Sequence, residues 1–468
     1  MKLSAECFRA KSSFQIFAVF VGLWITSVPA AAQDVHYWTE QYGARSMLLS
    51  GSVIGSVNDM SAVYYNPGAL GYIENPELVL SANAYQIRSI NVRDGAGKGF
   101  DLESSGFNPI PNLLAGTFRF NFYGPNKLAY SALSRHSFEA TLQGSRSAVK
   151  DIDPDLPGDE IFAGGLMRHV RVSDVWLGLT WARELSSHIG IGVSTFLSVR
   201  NEESQDQFIA QAQAQSGEAL MLLSIDDFNA RTYSLLWKGG LGFDFRPLTF
   251  GITVTTPNVR VAGSGSATLN KTAIGVDIDG DGIPDNGFST DIQNDIKSHY
   301  RSPLSIGAGG AWHIRRAKLH FSAEWFNSVD CYQMLELSPL ISQTGGETVN
   351  RSLQHCLESV INFGLGYEQT FGKTYSGFLG FNTDHAAYDP ESEVATTSYD
   401  IYHVSGGGKV TLEKASFTFG IRYAWGSEVA QQPIDLDPNS EQDVLGNRGD
   451  VTLEFRQLTF LVGFDLNI

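Results

Sequence analysis

From Glu77 to the C-terminus this sequence alternates. Apolar residues fall at every second position, in runs separated by turn residues. The last run is the clearest. Leu458, Phe460, Val462, Phe464, Leu466 and Ile468 are apolar, with Gln457, Thr459, Leu461, Gly463, Asp465 and Asn467 between them. Phe417, Phe419, Ile421, Tyr423 and Trp425 alternate in the same way with Ser416, Thr418, Gly420, Arg422 and Ala424. A period of two sorts the side chains of an extended strand onto opposite faces. A chain of such strands must cover one apolar face along its whole length. A soluble sandwich and a membrane barrel both meet that demand. Here the second face is mostly Gly, Ser and Thr with a few charges, as a lumen would be. The apolar face carries aromatics near the strand ends, as membrane interfaces favour. Both features point to a transmembrane β-barrel.

The connections sharpen this reading. Fourteen strands are expected, at 77–92, 112–122, 128–145, 171–186, 188–212, 220–246, 248–262, 298–315, 317–336, 358–371, 373–386, 396–413, 415–428 and 451–468. Short links such as Ser186-Ser187-His188, Arg246-Pro247, Arg315-Arg316 and Gly372-Lys373 take turns with longer ones at 93–111, 146–170, 213–219, 263–297, 337–357, 387–395 and 429–450. Short periplasmic turns and long external loops are the habit of outer-membrane barrels. An even strand number also leaves both ends of the barrel on the periplasmic side.

The first residues fit export. Lys2, Arg9 and Lys11 precede an apolar run from Ile16 to Val28, and Pro29-Ala30-Ala31-Ala32 closes it with small residues. This is the pattern of a cleaved signal peptide, residues 1–32. Removing it takes away those three bases and Glu6, leaving 30 basic and 49 acidic side chains. So acidic a chain is not a nucleic-acid binder. With 43% hydrophobic and 12% aromatic residues it is not a disordered one either.

Residues 33–76 do not alternate. They contain Gly43-Ala44-Arg45, Gly51, Gly55, Asn58-Asp59 and then Asn66-Pro67-Gly68-Ala69-Leu70. Small residues, short helix-like stretches and one turn suit a compact plug in a lumen otherwise wide enough for water. This arrangement resembles the N-terminal hatch of the FadL-type transporters, outer-membrane proteins that take up long-chain fatty acids or aromatic hydrocarbons. Trp237–Pro247, Thr256-Pro257-Asn258 and Tyr300–Leu304 resemble the family as well. The chain departs from it at Gly68, where Ala is usual, and at its final residue, Ile468, where Phe is usual.

The resemblance implies a fourteen-stranded antiparallel barrel over residues 77–468 with the hatch inside. It implies a hydrophobic cargo, fatty acid or hydrocarbon, that leaves sideways through the wall when the hatch shifts. Asn66, Pro67 and Gly68 would sit at that gap, and the third strand (Leu128–Ser145) would carry the defect, with Arg135-His136 its one visible irregularity. The chain would work as a monomer in the outer membrane of a Gram-negative bacterium. Its partners would be the surrounding lipid and the barrel-assembly machinery. Arg88, Arg119 and Arg422 are candidates for a substrate carboxylate by charge alone.

Two features lie in the expected external loops. Asp277-Ile278-Asp279-Gly280-Asp281-Gly282-Ile283-Pro284-Asp285 places carboxylates at positions 1, 3, 5 and 9, with Gly at position 6 for the turn. Asp277, Asp279, Asp281 and Asp285 are therefore expected to hold a structural calcium ion, with Asp291 as an added ligand. Cys331 and Cys356 are the two cysteines left after export, and a disulfide is expected between them. Glu202-Glu203 and Asp226-Asp227 have no partner base, no His-x-x-x-His or Gly-x-Ser-x-Gly pattern occurs, and an enzyme is not expected. Two other readings remain at this point: a general porin with an open lumen, and a non-transporting surface barrel such as an adhesin or scaffold.

Overall fold

The structure is a computed structural model that describes residues 35–73, 78–118, 126–150, 158–276, 285–344, 346, 348–349, 351–394, 397–413, 415–431 and 450–466. The expected signal peptide lies outside these residues. In chain order the elements are two short helices, α1 (Ala44–Leu48) and α2 (Ala62–Tyr65), then β1 (Leu78–Arg93), β2 (Leu102–Thr117), β3 (Asn126–Lys150), β4 (Glu160–Ser186), β5 (Ile189–Gln213), β6 (Ala219–Phe245), β7 (Leu248–Thr255), β8 (Val259–Val276), β9 (Asp285–Lys297), β10 (Ser305–Ile314), β11 (Ala317–Phe326), β12 (Val329–Gln333), β13 (Leu340–Ile341), β14 (Thr348–Val349), β15 (Gln354–Leu357), β16 (Val360–Phe371), β17 (Tyr375–Asp384), β18 (Ile401–Thr411), β19 (Ala415–Gln431) and β20 (Asp450–Leu466).

Fourteen of these strands form a closed antiparallel ring. Neighbours in the chain pair in turn, β7 passes to β10, β11 to β16, and β1 closes on β20. The side chains sort as the alternation requires. On β19, Phe417, Phe419, Ile421 and Tyr423 are exposed, while Ser416, Thr418, Arg422 and Ala424 are buried. Phe419 is 58% exposed and its neighbour Thr418 only 2%. The apolar face points out and the polar face in, the reverse of a soluble protein. That inversion suits a barrel whose outer solvent is lipid.

The ring is lopsided. β4 and β6 are 27 residues long, while β7 is 8 and β10 is 10. The long strands rise well beyond the others on the long-loop side. There β8 pairs with the outer half of β6, from Met221↔Ile274 to Leu235↔Val259, and β9 pairs with β8. The expected loop at 263–297 is thus mostly a hairpin that continues the wall outward. Its residues alternate too, and the ladder offered by β6 beyond the end of β7 is what recruits them. The expected seventh strand, 248–262, accordingly stops at Thr255. The 213–219 connection is not long either. Residues 214–218 form a tight link, and the strands, not the loop, make the projection.

Candidate functional site

Residues 35–73 fill the ring from within. Their apolar side chains form one cluster with the wall, including Tyr42, Met47, Leu48, Leu49, Val53, Met60 and Leu70, all buried. Around the ring the wall meets this segment with glycine. A Cβ at Gly309, Gly366, Gly380 or Gly420 would lie within 3.0 Å of an atom in Leu48–Ile54 or of a neighbouring wall atom. The small inner face of the strands is therefore the space occupied by the hatch. Polar contacts fix its position. Asp384 at the end of β17 accepts from the Tyr37 and Trp38 amides at 3.0 and 2.8 Å and from the Thr39 hydroxyl at 2.6 Å. Glu324 of β11 accepts from Trp38 Nε1 at 3.0 Å, and Lys238 of β6 lies 3.5 Å from the same carboxylate. Arg45 pairs with Glu368 of β16 at 2.6 Å.

Asn66, Pro67 and Gly68 are local latches. The Asn66 side chain accepts from the Gly68 amide at 3.0 Å, and Pro67 opens the 3-10 turn Pro67–Gly71. This is the capping geometry that Asn followed by Pro favours. Asn66 Nδ2 also donates to the Ile54 and Leu241 carbonyls at 3.0 and 2.9 Å. A Cβ on Gly68 would stand 2.5 Å from the Gly240 carbonyl oxygen and 2.8 Å from that of Gly190. No room exists for the alanine usual at this position. All three residues are held against β5 and β6.

The wall is weakest elsewhere. β2 and β3 pair only from Leu113↔Leu133 to Thr117↔Ala129. Beyond that point β2 pairs with β1 alone and β3 with β4 alone. Both strands change face where their ladder ends. On β3 the buried positions pass from Ala129, Ser131 and Leu133 to His136, Phe138 and Ala140, with a register shift between Ser134 and His136. On β2 they pass from Ile110 and Asn112 to Leu113 and Ala115, with a shift opposite β1 at Ala82/Asn83. Each is a bulge, and a bulge ends pairing. Pro109 and Pro111 lie on this stretch of β2. Proline lacks an N–H and survives in sheets at edges. Sequence reading placed residues 93–111 in a loop. The irregularity expected at Arg135-His136 is real, but its counterpart is this Pro-x-Pro on the facing strand. Side chains bridge the seam lightly: Ser134 Oγ donates to the Pro111 carbonyl at 3.0 Å and the Thr141 amide to Ser104 Oγ at 2.9 Å.

Behind the seam, above the hatch, lies a small chamber of about 50 Å³. Its lining includes Tyr37, Tyr64, Arg135, Trp176, Arg200 and Tyr300. The cations lie over ring faces: Arg135 over Trp176 at 5.6 Å, Arg200 over Tyr300 at 4.2 Å and Lys238 over Tyr64 at 4.7 Å. Arg200 is also paired with Glu202 and Asp174. The chamber therefore combines ring faces with paired charges and with the hydroxyls of Ser302 and Ser305. The Tyr42 hydroxyl donates to the Arg135 carbonyl at 3.2 Å, linking the hatch to the bulge itself.

The carboxylate candidates separate. Arg422 is buried and donates to the Thr39 and Trp38 carbonyls, so it holds the hatch. Arg88 is buried against Gln457, the Ser137 carbonyl and the ring of Phe138, on the inner wall beside the seam. Arg119 lies outside the described residues. So do Asp277, Asp279 and Asp281. Asp285 opens β9, opposite Val276. Asp291 lies within β9, 3.7 Å from Arg351. Cys331 and Cys356 are joined across β12 and β15. Beside the bridge, His355 is buried against Tyr332 with Nδ1 3.0 Å from Ser392 Oγ. Burial, with Arg200 nearby, lowers its pKa to about 3. Burial also raises the Asp226 carboxyl on the outer part of β6, with Arg351 opposing the shift at 2.8 Å.

Sequence reading missed the inward charges Lys238, Glu324, Glu368 and Asp384. The available signal was a charge on the small-residue face of a strand.

The whole arrangement is similar to solved transporters. A Pseudomonas aeruginosa FadL homologue matches with a TM-score of 0.59 at 11% identity, covering 92% of this chain and 99% of its own. This chain has the FadL-type fold. The Pseudomonas putida toluene transporter TodX matches at 0.54 and 14% identity, covering 93% and 100%. The Ralstonia pickettii toluene transporter TbuX matches at 0.55 and 12%, covering 91% and 98%. No protein-family model and no curated protein sequence matches the chain.

Proposed function

We propose that this protein carries hydrophobic compounds across the outer membrane of a Gram-negative bacterium. Cargo enters from the side of the long strands, reaches the chamber behind the seam and leaves sideways through the β2–β3 seam into the bilayer. Long-chain fatty acids are the first candidate cargo and monoaromatic hydrocarbons the second. The observation that carries this reading is a blocked lumen beside a wall seam whose ladder ends halfway. An apolar molecule gains nothing from a water-filled axial pore and loses least by staying against apolar surface. A general porin is disfavoured, because the hatch occupies the lumen.

The test is uptake of labelled fatty acid and of toluene by cells lacking their own importer. The cells would carry the intact chain or a version without residues 34–76. Uptake with the intact chain alone supports hatch-dependent transport. No uptake of either compound, from barrel shown to be folded in the outer membrane, favours the surface-scaffold reading.

We also propose that Asp277, Asp279, Asp281 and Asp285 take a calcium ion that orders the tip of the β8–β9 hairpin. The support is the ligand spacing in the sequence. Calorimetry on the intact protein and on Asp279→Ala tests it, with unchanged calcium binding in the variant counting against it.

A further inference from the structure

One wide concavity of the described molecule lies outside the lumen. It is a shallow apolar groove of about 880 Å³ on the outer wall, crossing β7, β10, β11, β16 and β17. Its floor is formed by the outward positions Ala308, Gly310 and Ala323, and Phe250, Trp312 and Leu379 stand around it. These six alternate with buried inward residues on the same strands, so the groove faces lipid. It also lies low on the wall. Leu248 is the first residue of β7 and Trp312 stands two residues before the end of β10, both beside the short turns.

The rim beneath it is basic. Three successive hairpins of the ring, β6–β7, β10–β11 and β16–β17, turn at Arg246-Pro247, Arg315-Arg316 and Gly372-Lys373. All four of these cations are exposed. Arg246 is held by Asp244 at 2.9 Å, and no ion pair to Arg315, Arg316 or Lys373 occurs among the described residues. By contrast the β4–β5 turn is Ser187-His188. In a chain of net charge −17, this rim sets three exposed cations with no ion pair among the described residues beneath one groove.

We infer that this groove and rim bind one anionic phospholipid of the periplasmic leaflet. An acyl chain lies over Ala308, Gly310 and Ala323, and the phosphate meets Arg315 and Arg316. The orientation rests on the outer-membrane reading above. Juxtamembrane cations attract anionic headgroups additively, and the apolar floor fixes where the chain lies. The location has a mechanical meaning. The seam is between the second and third strands of the ring, and β11 is the ninth of fourteen. The lipid therefore braces the wall opposite the seam, where the strands are shortest.

The experiment is native mass spectrometry of the purified full chain with equal amounts of phosphatidylglycerol and phosphatidylcholine of the same acyl composition. Wild type should retain one phosphatidylglycerol with at least about tenfold preference. Arg315→Gln with Arg316→Gln should abolish that preference. Ala323→Trp, whose side chain points out into the groove, should lower retention of both lipids while the basic rim stays intact. Equal retention of the two lipids by wild type, an unchanged preference in the arginine variant, or unchanged retention in Ala323→Trp would each overturn the site. Uptake is no part of the readout, so this result and the transport test fail independently.

Discussion

Arg45 of the hatch and Glu368 of β16 form a buried ion pair, with Nη2 2.6 Å from Oε2 and Nε 3.0 Å from the same oxygen. Lys318 reaches the other carboxylate oxygen at 2.8 Å. Both partners of the central pair are almost wholly removed from solvent. Breaking such a pair from one side leaves a charge without compensation, at a cost of about 3–5 kcal/mol. Arg45→Met should therefore loosen the hatch without unfolding the barrel. Hydrogen exchange in residues 44–57 should accelerate while β19 and β20 stay protected. The pair Arg45→Met with Glu368→Leu should recover much of the loss.

The glycine wall gives a second test. A Cβ at Gly240 would stand 2.3 Å from Asn66 Oδ1 and 3.0 Å from the Gly68 amide nitrogen. Gly240→Val should press Asn66 off the wall and cost about 1–3 kcal/mol through overpacking. Gly239 has open space at the same level, and Gly239→Val should be tolerated. Protease sensitivity of the 66–71 turn in folded barrel separates the two variants. Equal resistance in both would mean the hatch is not wedged as described.

Closing the seam should stop transport. Ser104 and Thr141 face each other across it through the 2.9 Å contact to Ser104 Oγ. Cysteines at these two positions, with Cys331 and Cys356 changed to serine, should cross-link β2 to β3. Uptake of the labelled compound should fall at least about tenfold when oxidised and return on reduction. Full uptake through a cross-linked seam would show that cargo leaves by another route.

Acid should act on the external cap through His355. Its pKa is lowered from near 6.5 to about 3 by burial, so the folded state favours the neutral ring. The stability this represents is fully present above pH 6.5 and is lost as pH falls through the window from 6.5 toward 3. At pH 4 the loss is roughly 3 kcal/mol. Exchange protection of Val329–Gln333 and Gln354–Leu357, corrected for intrinsic rates, should fall between pH 7 and pH 4 in wild type. His355→Gln should flatten that dependence. The same slope in the variant would assign the effect to another group.

Much of this protein could be read from its residues. The period of two in Phe417–Trp425 and Leu458–Ile468 determined strands with one apolar face, because side chains of an extended chain alternate whatever surrounds them. The alternating runs together with the short and long links between them gave the fourteen strands of the ring. The Asn66-Pro67-Gly68 turn was equally legible, because its capping bonds are made within a few residues.

Only the tertiary structure decided the rest. Alternation cannot say which face points outward, and Phe419 out with Thr418 in follows from closure of the ring. The strand assigned to residues 298–315 shortened, and 259–297 became a hairpin, because β6 outruns β7 and leaves a ladder to be filled. The seam depends on two bulges, at Asn112 and Arg135, in strands that meet only after folding. The ion pairs of Arg45 and Lys238 and the hydrogen bond from the Tyr37 amide to Asp384 join residues from about 90 to 350 positions apart. No local pattern encodes such a pairing, since it exists only once the ring has closed around the hatch.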